Sequence, residues 1–125
     1  MKLGDHAQVA RAFSAADLRG YADLSGHAVG AGRVPEPLIG ALFSYLLGMK
    51  LPGQGTMYLK QETRFLRDAQ VGETLTARVE LHRLRPDKHL ADFLTACTRA
   101  DGQLVASGRA LVYIRDLAPG RGNDA

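Results

Sequence analysis

The spacing of apolar and polar residues changes character along this chain, and from Tyr58 onward it settles into a period of two. Leu59, Gln61, Thr63 and Phe65 alternate with Lys60, Glu62, Arg64 and Leu66, as in a strand with a largely charged outer face. Leu75, Ala77, Val79 and Leu81 alternate with Thr76, Arg78, Glu80 and His82 in the same way. Turn signals at Arg85-Pro86-Asp87-Lys88 and Asp101-Gly102 set off two further strands. The expectation is an antiparallel meander with strands over 57–66, 74–83, 89–99 and 103–115. A first strand over 6–13 is only partly patterned, because Arg11 falls on the face shared by Ala7, Val9 and Phe13.

Two helices precede the meander. Ser14-Ala15-Ala16-Asp17 has the form of a capping box, with Asp17 also suited to the positive end of a helix that runs to about Leu24 and stops at Gly26. Pro35-Glu36-Pro37 then opens a helix over 38–48: prolines are tolerated in a first turn, Glu36 complements the dipole, and Gly48 is placed as the stop. Leu38, Ile39, Ala41, Leu42, Phe43, Leu46 and Leu47 point all round the axis, which predicts burial on nearly every side. The simplest architecture is α+β, a curved antiparallel sheet wrapped around that central helix.

Composition narrows the function classes. The 125 residues suffice for one domain, 1–118, with a disordered tail over 119–125. No apolar run has the length of a bilayer span, and the opening MKLGDHAQ has no signal-peptide pattern, so the expectation is a cytoplasmic protein without a membrane partner. The net charge of +3 comes from scattered residues, which gives no nucleic-acid footprint but suits a phosphate-bearing ligand such as coenzyme A. Cys97 is the single cysteine and reads as a buried thiol. No histidine pair has zinc spacing and no phosphate-cradling glycine loop precedes a helix, so no metal or cofactor is expected.

The segment Leu51-Pro52-Gly53-Gln54-Gly55-Thr56-Met57-Tyr58-Leu59-Lys60-Gln61 resembles the LPGxGxxYLxQ stretch of MaoC-like (R)-specific enoyl-CoA hydratases. Phe65 and Val71-Gly72-Glu73-Thr74-Leu75-Thr76-Ala77 resemble that family's next strand and its Gly-Asp/Glu turn. Phe13 to Leu18 and Tyr21 to Gly26 resemble its entry helix, so the likeness spans roughly 3–115. It implies the hot-dog fold, dimers joined through the sheets, and a place in fatty acid metabolism. It further implies lyase chemistry, in which water adds across the trans-2 double bond of an acyl-CoA or leaves an (R)-3-hydroxyacyl-CoA. Coenzyme A then enters as part of the substrate.

The family's catalytic loop is shortened here. Members follow Ser-Gly with an Asp, four residues and a His, with Asn-Pro just ahead of the His; one group polarises the attacking water and the other handles the proton at the α-carbon. In this chain Ser25-Gly26 leads into His27-Ala28-Val29-Gly30-Ala31-Gly32-Arg33-Val34, and Pro35 already begins the approach to the helix. His27 aligns either as a replacement for the Asp or as the family His left by a deletion, and the dyad is incomplete in both alignments. The family's oxyanion donor is a backbone amide in a His-Gly-Met-like segment. That position reads Pro35-Glu36-Pro37, where the Glu36 amide can still donate.

Glu36 has an ordinary explanation as a helix-start charge, and it is also the nearest carboxylate to the missing Asp. Gln61 and Thr63 face inward and need hydrogen-bond partners, with Gln61 near a dimer seam. Tyr45 packs, or lines an acyl pocket with its hydroxyl. His6, His82 and His89 read as surface residues. The candidate site is thus His27 and Glu36 for catalysis, with the Glu36 amide, Tyr45 and Gln61 for substrate. Three functions fit: a hydratase or dehydratase with an impaired loop, a non-catalytic acyl-thioester-binding subunit paired with itself or a related hot-dog subunit, and a thioesterase using Glu36.

Overall fold

A computed structural model describes residues 1–26 and 32–115. His27 and the tail from Pro119 lie outside the described residues. The elements are β1 (His6–Ala12), α1 (Ala15–Ser25), α2 (Glu36–Met49), β2 (Thr56–Phe65), β3 (Thr74–Arg85), β4 (Leu90–Arg99) and β5 (Leu104–Ile114), with a short 3-10 turn at Pro86–Lys88. The five strands form one antiparallel sheet in the order β1-β3-β4-β5-β2. This is the hot-dog arrangement, a curved sheet around one helix.

The register explains the core. Opposed residues of antiparallel strands share a face, and the pairs Ala77 with Cys97, Val79 with Thr95, Leu81 with Phe93 and Leu84 with Ala91 build one continuous inner surface. A bulge at His82 restores the phase, so that Leu81 and Leu84 both point inward. Ile39, Phe43, Leu46 and Leu47 of α2, each at most 2% exposed, pack onto this surface with Leu42.

The inward row of β5 reads Ala106, Gly108, Ala110, all small, and pairs with Phe65, Thr63 and Gln61 of β2. A Cβ on Gly108 would collide with the Glu62 carbonyl oxygen and stand 2.9 Å from the Thr63 Cα. Glycine is required there by space.

Local chemistry at α1 follows the sequence closely. Ser14 Oγ accepts from the Asp17 amide (3.1 Å), Asp17 Oδ2 accepts from the Ser14 amide (2.8 Å), and Gly26 closes the helix at φ 74°. Backbone and side-chain bonds from Ser14, in that order, hold the Asp17 carboxyl below its usual range, with a smaller contribution from Arg11. Arg11 lies on the inner face as its position predicts. Its guanidinium sits 4.7 Å from the Phe13 ring centroid and 3.6 Å from Asp17 Oδ1, which keeps its charge at the rim of the sheet.

Four expectations are corrected. Gly48 does not stop α2; the helix runs through it to Met49 and is capped at Lys50. Nor is α2 buried all round: Pro37, Ala41, Ser44 and Tyr45 form an open side, because one curled sheet reaches only the stripe that carries the larger aliphatic residues. Leu59 is 52% exposed, since a bulge between Tyr58 and Lys60 shifts the phase and turns Tyr58 inward in its place. His89 is half-buried rather than superficial, with Nδ1 3.0 Å from the Ile114 carbonyl oxygen and its ring stacked on Tyr113.

Two outcomes follow from the core. Gly108→Ala should lower the unfolding free energy by more than about 2 kcal/mol, because backbone must move to admit the methyl group; denaturant unfolding that matches the parent would contradict this packing. Burial pushes the Cys97 thiol up to about 11, from an ordinary 9.0. The native protein should therefore resist thiol reagents near pH 8 and react fully once denatured. The unfolded chain loses its thiol proton first, so stability should fall as pH rises past 9.0 toward about 11.

Candidate functional site

The amino end of α2 is held in place by the turn before β3. Val34 donates its amide to the Ala69 carbonyl (2.7 Å), Val71 donates to Gly32 (2.7 Å), and Gly72 donates to Phe13 (2.8 Å). One turn thus ties the entry to α2 to the start of α1. At the helix start Pro35 and Pro37 carry no N–H, and the Leu38 amide bonds the Pro35 carbonyl at 3.0 Å. Glu36, as first helical residue, keeps the one amide of that turn without a partner in the helix. It points where the dipole favours negative charge.

Glu36 lines a cavity of about 380 Å³ together with Pro37, Gly40, Gln61, Thr63 and Phe65. The structure therefore brings Glu36 and Gln61 together, although they are far apart in sequence and on different elements. Gln61 Nε2 donates to Thr63 Oγ1 at 3.2 Å; Thr63 is half-buried, whereas Gln61, expected to be enclosed, is exposed and meets solvent as well. Glu36 is the titratable group of this cavity. Gly40 keeps the wall one helical turn beyond it low.

Tyr45 stands apart from that pair, in a second and more apolar groove of about 530 Å³ between α1 and α2. Its walls include Phe13, Tyr21 and Leu24 from the first half of the chain and Leu38, Ala41 and Leu42 from α2. Ala41 and Tyr45 belong to the open side of the helix, so the groove and the Glu36 cavity lie on neighbouring faces of one element. Arg11 and Asp17 are the charged residues of its lining, already joined to each other.

Several lining residues were not singled out by sequence reasoning. Pro37, Gly40 and Phe65 enter the cavity, and Leu24, 92% exposed at the end of α1, enters the groove, through tertiary packing. Tyr58 is the other omission. Its hydroxyl is shielded from solvent without a hydrogen bond of good geometry, and burial raises its pKa, offset in part by the neighbouring Ser44 hydroxyl. His27 follows directly on Gly26 and lies outside the described residues, so its place relative to Glu36 is not part of this geometry.

No family model matches the chain. Its similarity to individual proteins is nevertheless extensive. It is 33% identical to the (R)-specific enoyl-CoA hydratase of Aeromonas caviae, across 91% of this chain and 96% of that protein. It is also 33% identical to the (R)-specific enoyl-CoA hydratase of Rhodospirillum rubrum, across 98% and 91% of the two chains. The solved A. caviae (R)-hydratase superposes with a TM-score of 0.84 over 91% of this chain and 97% of its own. An unliganded R-hydratase from Pseudomonas aeruginosa, 27% identical, gives 0.82 over 95% of this chain and 83% of its own. Sequence and fold agree over nearly the whole length, and the chain belongs to the MaoC-like (R)-specific enoyl-CoA hydratase family.

Proposed function

We propose that this protein binds acyl-CoA thioesters in the cytoplasm as a homodimer and catalyses hydration of trans-2-enoyl-CoA, or the reverse dehydration, at a rate limited by its shortened loop. The observation that carries the reading is the meeting of Glu36 and Gln61 at the amino end of α2, beside an apolar groove on the same helix. A thioester carbonyl placed at the helix start would receive the Glu36 amide as charge develops on its oxygen. The acyl chain would lie in the groove lined by Leu38, Ala41, Leu42 and Tyr45. Of the two roles given to Tyr45, packing and pocket wall, this reading uses the second.

In the forward direction the water oxygen bonds to the β-carbon and a proton is delivered to the α-carbon. Both steps call for acid–base groups, and this sequence supplies His27 and Glu36 where relatives have an Asp and a His. The missing Asp favours a second reading, a subunit that binds acyl thioesters without turning them over and pairs with itself or with an active relative. Glu36 alone would suit thioester hydrolysis, which ranks third. Fold cannot decide among these, since function resides in the site.

The test is loss of the enoyl absorbance of crotonyl-CoA. Because each acid–base group contributes about 10²–10⁴-fold, the wild-type rate should fall well below that of a complete dyad, and His27→Ala should abolish what remains. Vigorous hydration by His27→Ala would remove His27 from the mechanism and transfer its role to Glu36. Absence of turnover together with acyl-CoA binding would establish the second reading.

A further inference from the structure

The turn that fixes the entry to α2 runs from Gln70 to Glu73. Gly72 stands at its third position with φ 82°, as a type II turn requires, and the Glu73 amide donates to the Gln70 carbonyl at 3.2 Å. Both central amides are left to serve other segments. Val71 donates to Gly32, ahead of α2, and Gly72 donates to Phe13, ahead of α1.

The side chain of Glu73 closes the turn a second time. Its Oε1 accepts from the Gln70 amide (3.2 Å), and its Oε2 accepts from Arg99 Nε (2.8 Å) at the end of β4. With side chains 28% and 19% exposed, Arg99 and Glu73 form the most enclosed ion pair among the described residues. A charge-assisted bond so shielded is screened less than one in open solvent. Arg99 is anchored through its own backbone: it pairs with Leu75 of β3, donates to the Gln103 carbonyl (2.9 Å) and accepts from the Gly102 amide (2.9 Å). The β4–β5 hairpin thus reaches the start of α2 through one side-chain contact and one turn.

We infer that Glu73 and Arg99 are positioning residues of the site: they hold the 70–73 turn, the turn holds Gly32 to Val34, and this fixes where the Glu36 amide stands relative to Gln61. The inference rests on the helix-start donor of the proposed function. Neither side chain lines the cavity or the groove, so neither meets an acyl thioester placed there. The Arg33–Asp68 pair (3.4 Å) bridges the same two segments, but its side chains are 57% and 62% exposed and contribute little. It serves as a control on the same connection.

Two readouts on the full-length protein test this. Amide hydrogen exchange followed by NMR reports the clamp: Val34, Val71 and Gly72 should exchange on the order of tenfold faster in Glu73→Ala and in Arg99→Ala. The double variant should be no faster than the single ones, because the two side chains act in series, and Asp68→Ala should match the parent. The second readout is the affinity for octanoyl-CoA relative to S-octyl-CoA, a thioether that lacks the carbonyl oxygen. The parent should prefer the thioester several-fold, the scale of one neutral hydrogen bond, and the Glu73 and Arg99 variants should lose that preference while still binding the thioether. A salt bridge that only stabilised the fold would lower Tm and leave this ratio alone. Should alanine at 73 unfold the protein, Glu73→Gln keeps an acceptor for Gln70 but not the carboxylate, and should still lose part of the preference. Unchanged exchange, or a thioester preference that survives every variant, overturns the inference. A parent without that preference overturns the helix-start donor, and the positioning role with it, even where exchange shows the clamp.

Discussion

The packing of Ile39, Phe43, Leu46 and Leu47 into a sheet that curls around them is the interaction on which the rest of this structure depends. Burial of such side chains contributes roughly 1.5–3 kcal/mol each, and it is available only if the sheet bends. Within the sheet, β5 presents Ala106, Gly108 and Ala110 inward beside Phe65, Thr63 and Gln61 of β2, and Gly108 admits the close approach of the β2 backbone at Glu62 and Thr63. The same three β2 residues share a cavity with Glu36.

Functional geometry follows from the part of α2 that the sheet does not cover. The open side carries Pro37, Ala41, Ser44 and Tyr45, small or amphipathic residues suited to a ligand or a second copy. The amino end of the helix supplies a single free amide between two prolines, held in place by the bonds from Val34, Val71 and Gly72. The scaffold thus keeps a helix-start donor and an apolar groove, and eight residues connect Gly26 to Pro35.

Periodicity made the meander legible, because Leu75, Ala77, Val79 and Leu81 alternate without interruption and each strand is bounded by strong turn residues. The capping box was legible for the same reason: its chemistry is local to Ser14 and Asp17. The bulge at Leu59 was not, since a one-residue phase shift leaves the alternation of Lys60, Glu62 and Arg64 intact and shows only in the pairing with β5. Burial of α2 was overestimated because a uniformly apolar helix looks the same whether one sheet or a whole dimer covers it. At the site, Glu36 and Gln61 could be named from motif position, but their convergence comes from the packing of α2 against β2, which no local pattern carries. The partly buried setting of His89 likewise comes from a distant strand, through the Ile114 carbonyl.

The proposed acyl-thioester site rests on the Glu36 amide and on the groove beside Tyr45. Equilibrium binding of a saturated ligand, octanoyl-CoA, compared with coenzyme A alone, tests it most directly because no chemistry intervenes. Octanoyl-CoA should bind at least tenfold more tightly than coenzyme A, an advantage of about 1.4 kcal/mol from burying methylenes in the groove beside Tyr45. Equal affinities, or no binding of either, would contradict it.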